Sequence, residues 1–158
     1  MYLRSRSTGF TLIELMIVLA LVAILAFVAL PGSRMIIESN RQTSLTNSML
    51  GLLNYARSEA LRRSEPVEIT PAGDRFIASI FAGGGTTPIR EIESPSGDAS
   101  IDRVDGGGSD LVFAASGRSN AAAPVRYRVC GASGRDGTVI RVNRGGQIST
   151  EPATEACP

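Results

Sequence analysis

The chain contains no lysine, no histidine and no tryptophan, and its sixteen basic residues are all arginine. Each absence excludes chemistry. Without lysine there is no phosphate-binding loop ending in Gly-Lys and no Schiff-base nucleophile. Without histidine there is no Ser-His-Asp or Cys-His relay and no imidazole ligand for a metal. Cys130 and Cys157 are the only cysteines, too few for a four-thiolate zinc site. No paired acids stand at a readable catalytic spacing, and Ser133 has neither a base nor the nucleophile-elbow pattern around it. The expectation is a protein that is not an enzyme and carries no cofactor or metal. What is present is foldable. With 158 residues and 43% hydrophobic side chains, the chain is long enough for one ordinary domain and too apolar for disorder.

The apolar residues are concentrated at one end. Between Phe10 and Leu30 only Thr11 and Glu14 are polar. As a helix this stretch measures about 31 Å, enough to cross a hydrocarbon core. Arg4 and Arg6 precede it with no acid nearby, so the positive-inside rule keeps that end cytoplasmic and sends everything after Leu30 outward. A cleavable secretory signal has a shorter apolar region. A plain anchor leaves Glu14 unexplained, because an ionised acid within a bilayer costs about 2.5–3.5 kcal/mol or more.

Gly9-Phe10-Thr11-Leu12-Ile13-Glu14, with a basic leader before it and an apolar helix after it, resembles the processing site of type IV prepilins and type II secretion pseudopilins. The resemblance implies cleavage by a membrane peptidase between Gly9 and Phe10, N-methylation of Phe10, and retention of the helix in the mature chain. It also implies that mature subunits pack these helices into a filament core. There Glu14 would meet the free amine of a neighbour's Phe10, an opposite charge that makes a buried carboxylate tolerable.

Beyond the run, Pro31-Gly32 predicts a kink or local break. Leu45, Met49, Leu52, Leu53, Ala56 and Ala60 then recur at helical spacing and mark a core-facing stripe. Arg41, Asn47, Asn54, Arg57, Arg62 and Arg63 fall on the opposite, wet face, and Pro66 ends the helix. The stretches Ala56–Arg63, Pro66–Ile69, Phe113–Arg118 and Ile140–Ile148 resemble the H-type pseudopilin and minor-pilin group, GspH/FimT/FimU.

After Pro66 the pattern changes to short alternating runs: 67–70, 75–81, 89–93, 111–114, 125–130, 138–143 and 147–149. The triple glycines at 83–85 and 106–108 read as loops. The fold class expected is α+β and pilin-like: a long N-terminal helix on a small antiparallel sheet. The divisions are a leader (1–9), an apolar helix (10–31), an amphipathic helix (32–65) and a β domain (66–158). An even pair of cysteines in an outward-facing segment reads as a Cys130–Cys157 disulfide, two free thiols being the alternative. Such a bond would add about 3–4 kcal/mol in the chain-entropy account and pin the tail at 150–156 as a loop on the sheet.

Charge is segregated as well. Residues 59–110 hold ten acids and five arginines, whereas residues 111–150 hold six arginines and one acid. Arg118, Arg126, Arg128, Arg135, Arg141 and Arg144 form a candidate contact for DNA phosphates or for an acidic neighbouring subunit. A DNA-binding branch of the resembling group carries closely spaced arginines near its C-terminus; here that stretch reads Arg144-Gly145-Gly146-Gln147-Ile148. Nucleic acid therefore stands behind a subunit contact.

The resemblance implies a minor pilin that primes assembly of a type IV pilus and sits at its tip, supporting twitching motility and adhesion. The alternatives are an H-type pseudopilin of type II secretion and a DNA-binding minor pilin of natural transformation. Implied partners are the major pilin and other minor pilins through helix packing, the prepilin peptidase, and the bacterial inner membrane before assembly. The N-terminus would be cytoplasmic, the single span in the inner membrane, and the β domain periplasmic or at the cell surface.

Overall fold

The computed structural model describes residues 9–82, 85–93, 99–105, 110–131 and 136–157, without the side chains of residues 28–36 and 82. Residues 1–8, most of the two triple glycines and Arg135 lie outside the described residues. The chain divides into two units between Ile37 and Glu38.

Helix α1 covers Leu12–Arg63. Helical geometry continues through Pro31 and Gly32, so of the kink or local break expected there the break does not occur. A proline removes one backbone donor, while the turns on either side keep theirs and helix propagation is cooperative. At its C-terminus Ser64 takes a left-handed φ of 56°, and Pro66 then begins the sheet connection. The whole predicted stripe, Leu45, Met49, Leu52, Leu53, Ala56 and Ala60, is buried. Near the end of the helix, buried Glu59 accepts hydrogen bonds from Arg62 and Arg63.

Among the described residues eight strands follow: β1 (Val67–Ala72), β2 (Arg75–Ala82), β3 (Gly85–Glu93), β4 (Ser100–Arg103), β5 (Leu111–Phe113), β6 (Val125–Cys130), β7 (Asp136–Val142) and β8 (Ile148–Ala156). They form two four-stranded antiparallel sheets, ordered β3-β2-β1-β5 and β4-β6-β7-β8, in place of the single sheet expected. Alternation shows which face of a strand is wet but not which strands pair. Strand β4 was not anticipated, because Ser-Ile-Asp-Arg has one apolar residue; pairing with β6 from Ser100↔Cys130 to Arg103↔Tyr127 makes it a strand. The tail expected as a loop is strand β8, paired with β7.

The inner faces of both sheets and the helix stripe form one core. Phe76 of β2 meets Tyr127 of β6 edge to face, 5.7 Å between ring centres, which joins one sheet to the other. Burial pushes the Tyr127 hydroxyl up to about 12. Arg57, expected on the wet face, is half-buried because its Nε donates to the Gly117 carbonyl at 3.1 Å. That carbonyl lies only 1.9 Å from where a Cβ on Gly146 would stand, and Gly146 has a φ of +76°, so no other residue fits there.

Cys130 and Cys157 are bonded. Since β7 lies between β6 and β8, the bond bridges across β7. It passes over Gly137, where an added Cβ would come 3.1 Å from Cys157 Sγ and 3.0 Å from the Val129 carbonyl. The register shift between Asp136 and Thr138 sits at the same place.

Two outcomes follow for stability. Gly137→Ala overpacks this crossing and should lower stability by about 1–3 kcal/mol in thermal unfolding, with the loss shrinking when the disulfide is reduced. For Glu59, hydrogen bonds from Arg62 and then Arg63 hold the carboxyl at about 2, against an ordinary 4.5. Its stabilising share is therefore complete above pH 4.5 and is lost as pH falls from 4.5 through about 2. The stability difference between the parent and Glu59→Gln should be flat near neutrality and close over that acid window.

Candidate functional site

The N-terminal unit begins with Gly9 and Phe10 in exposed, non-helical backbone. A side chain added at Gly9 would meet nothing within 4 Å, so local packing does not call for glycine there. Thr11 is the N-cap of α1. Glu14 Oε2 accepts the Thr11 backbone N–H at 3.0 Å and its hydroxyl at 2.9 Å, while the Glu14 N–H donates to Thr11 Oγ1 at 3.3 Å. This is a reciprocal capping box, signalled by Thr-x-x-Glu in the sequence, and it gives Glu14 a local partner that the sequence reading missed.

From Leu12 to Phe27 every large apolar side chain is more than half exposed. A helix apolar on all sides is covered in its working state by lipid or by other helices. Among the described residues no helix is long and apolar enough to cross a membrane. The described side chains of this run end at Phe27, and the rest of the expected span, residues 28–30, lies outside them.

The predicted arginines separate into different settings. Arg118 and Arg144 are exposed at neighbouring turns, tied by the Ser119 N–H donating to the Arg144 carbonyl at 3.2 Å. Arg126 of β6 and Arg141 of β7 are exposed and directly opposite one another in register. Arg128 shares their face but is mostly buried and lies 3.5 Å from Glu155. Two shallow depressions of about 330 and 260 Å³ flank Arg126. Acids enter both, Glu151 and Glu155 in the first and Asp105 in the second. The basic surface inferred from sequence is thus a mixed-charge face around one opposed arginine pair.

A second acidic feature lies on the other sheet. Glu68 of β1 is half-buried, and its carboxyl is pushed up first by burial and then by the neighbouring charge of Asp110. Among the described residues no three potential ligand side chains gather around a metal-sized space.

Two known families match this chain. The family described as type II transport protein GspH matches residues 45–146, and the prokaryotic N-terminal methylation motif matches residues 4–30. No curated protein matches. Among solved structures, the type IV minor pilin FimU of Pseudomonas aeruginosa is similar with a TM-score of 0.64 at 22% identity, over 75% of this chain and 94% of that one. A second crystal form of FimU gives 0.58 at 21% identity, over 72% and 95%. The minor pseudopilin EpsH of the type 2 secretion system of Vibrio cholerae gives 0.59 at 12% identity, over 73% and 99%. The shared fold is a helix packed on antiparallel sheets.

Proposed function

The chain belongs to the GspH family of type II transport proteins, and from that premise we propose that it is a minor pilin of a type IV pilus. Residues 1–9 are removed between Gly9 and Phe10, Phe10 is methylated, and the apolar helix stays with the mature chain. Before assembly this helix spans the bacterial inner membrane with its N-terminus cytoplasmic and the β domain outside. In the filament the helix packs among those of other pilins, and the chain primes assembly from the tip, in support of twitching and adhesion.

The observation that carries the reading is the single carboxylate of Glu14, the fifth residue after the proposed cut, in a helical run from Leu12 to Phe27 whose large apolar side chains are exposed on every side. In the lone subunit that carboxylate is occupied by Thr11. Within a filament its charge is available to the Phe10 amine of a neighbour, and leaving one member of such a buried pair alone costs about 3–5 kcal/mol. The lack of any packing reason for glycine at position 9 fits a residue read by an external peptidase. The Cys130–Cys157 bond supports the pilus over secretion, because type II pseudopilins of this resemblance often lack a terminal disulfide. The second reading, a type II secretion pseudopilin, draws on the family's description and on the likeness to EpsH.

Deletion of the gene should abolish surface pili and leave protein export intact; lost export with normal pili would favour the second reading. Two point variants separate the roles of Glu14. Glu14→Gln keeps an acceptor for the Thr11 cap but removes the charge, and should be absent from sheared pili while its helix content is unchanged. Thr11→Val removes the cap at a cost of about 1 kcal/mol and keeps the charge, so it should still enter filaments. The reverse pattern would reduce Glu14 to a helix cap.

A further inference from the structure

The outer face of the second sheet holds an arrangement that folding alone does not favour. Arg126 and Arg141 are register partners on adjacent antiparallel strands, so both side chains stand on one face with Cα atoms about 4.5–5.5 Å apart. Like charges directly opposite one another destabilise a sheet. Among the described residues neither arginine makes an ion pair, whereas Arg62, Arg63, Arg75, Arg103 and Arg128 all do. The opposite face of the same sheet is turned towards α1, where Gln42 donates to Thr138 at 3.2 Å. The arginine pair therefore faces away from the core.

We propose that Arg126 and Arg141 together receive a single carboxylate presented by an otherwise apolar segment of another pilin-like subunit. The proposal rests on the filament reading above and names a contact within it. Two guanidinium forks side by side match the planar, two-oxygen shape of a carboxylate. The depressions flanking Arg126 have apolar walls, with Val104, Val139 and Pro152 on one side and Pro124 on the other. A peptide carrying apolar residues beside its acid would bury surface in both.

The same surroundings disfavour nucleic acid. Duplex DNA presents a charge every ~1.7 Å along its axis, so it needs an extended basic track. A phosphate backbone laid over this pair would meet Glu151 and Glu155 in one depression and Asp105 in the other. Arg128 cannot extend the track, because Glu155 already engages it. An isolated carboxylate seated on the pair avoids all of these acids.

The test uses the full chain in a zwitterionic detergent, with a labelled peptide carrying one glutamate between valines and, separately, a short labelled DNA duplex at physiological salt. The peptide should bind the parent chain, bind Arg126→Gln/Arg141→Gln at least about tenfold more weakly, and bind Arg118→Gln/Arg144→Gln within about twofold of the parent. DNA should bind more weakly than peptide and be insensitive to the pair. Melting of Arg141→Thr without peptide supplies a folding control: relief of repulsion should raise the melting temperature. No peptide binding, equal peptide binding by all three proteins, DNA binding that depends on the pair, or a lower melting temperature for Arg141→Thr would each overturn the inference. None of these readouts requires a filament, so failure here leaves the pilus reading standing, and failure of that reading appears in the deletion phenotype instead.

Discussion

A helix that exposes apolar side chains on all sides cannot remain so in water, and the biology of the N-terminal unit follows from that constraint. From Leu12 to Phe27 the chain offers a continuous apolar cylinder. At about 25 cal/mol per Å² of apolar surface, covering it is a large driving force for bilayer insertion or helix association. That force is non-directional and by itself specifies neither register nor partner. On the proposed filament reading, one charged group near the end of such a surface supplies what is missing, since a misplaced neighbour leaves it with only its Thr11 cap in an apolar medium. The cap formed with Thr11 adds a consequence: the carboxylate has a local partner until a better one arrives, so the lone subunit does not carry a naked charge.

The second unit solves a different problem. From Glu38 onward, one stripe of α1 and the inner faces of two sheets share a single core, with Phe76 against Tyr127 as the contact between sheets. The sheets are also fixed at their margins. Arg57 reaches the Gly117 turn, which packs against the turn at Gly146, and the Cys130–Cys157 bond secures the last strand across β7. Each fastening relies on a glycine because one piece of backbone, or a sulfur, passes too close for a side chain.

Much of this was legible in the sequence, and the exceptions share a cause. The buried stripe of α1 follows from helical spacing, and the α+β pilin-like fold follows from the prepilin resemblance together with the strand-rich second half. What escaped depends on contacts distant in sequence. Ser-Ile-Asp-Arg becomes β4 because β6 lies beside it, and a polar tail becomes β8 because β7 and a disulfide hold it. Arg57 leaves the wet face for a carbonyl sixty residues away. The arginine patch was readable as composition, but only strand register shows that Arg126 and Arg141 stand opposed while Arg128 is already engaged. The Thr11–Glu14 cap was a miss of another kind, since its signature lay in plain view and was passed over in favour of a distant partner.

The central claim is that the apolar helix survives maturation with Phe10 as its new terminus. Intact-mass spectrometry of the native protein tests it most directly. The account predicts a chain that starts at Phe10 and carries one added methyl group. A mass that retains the first nine residues, or one that begins downstream of Leu30, would contradict it.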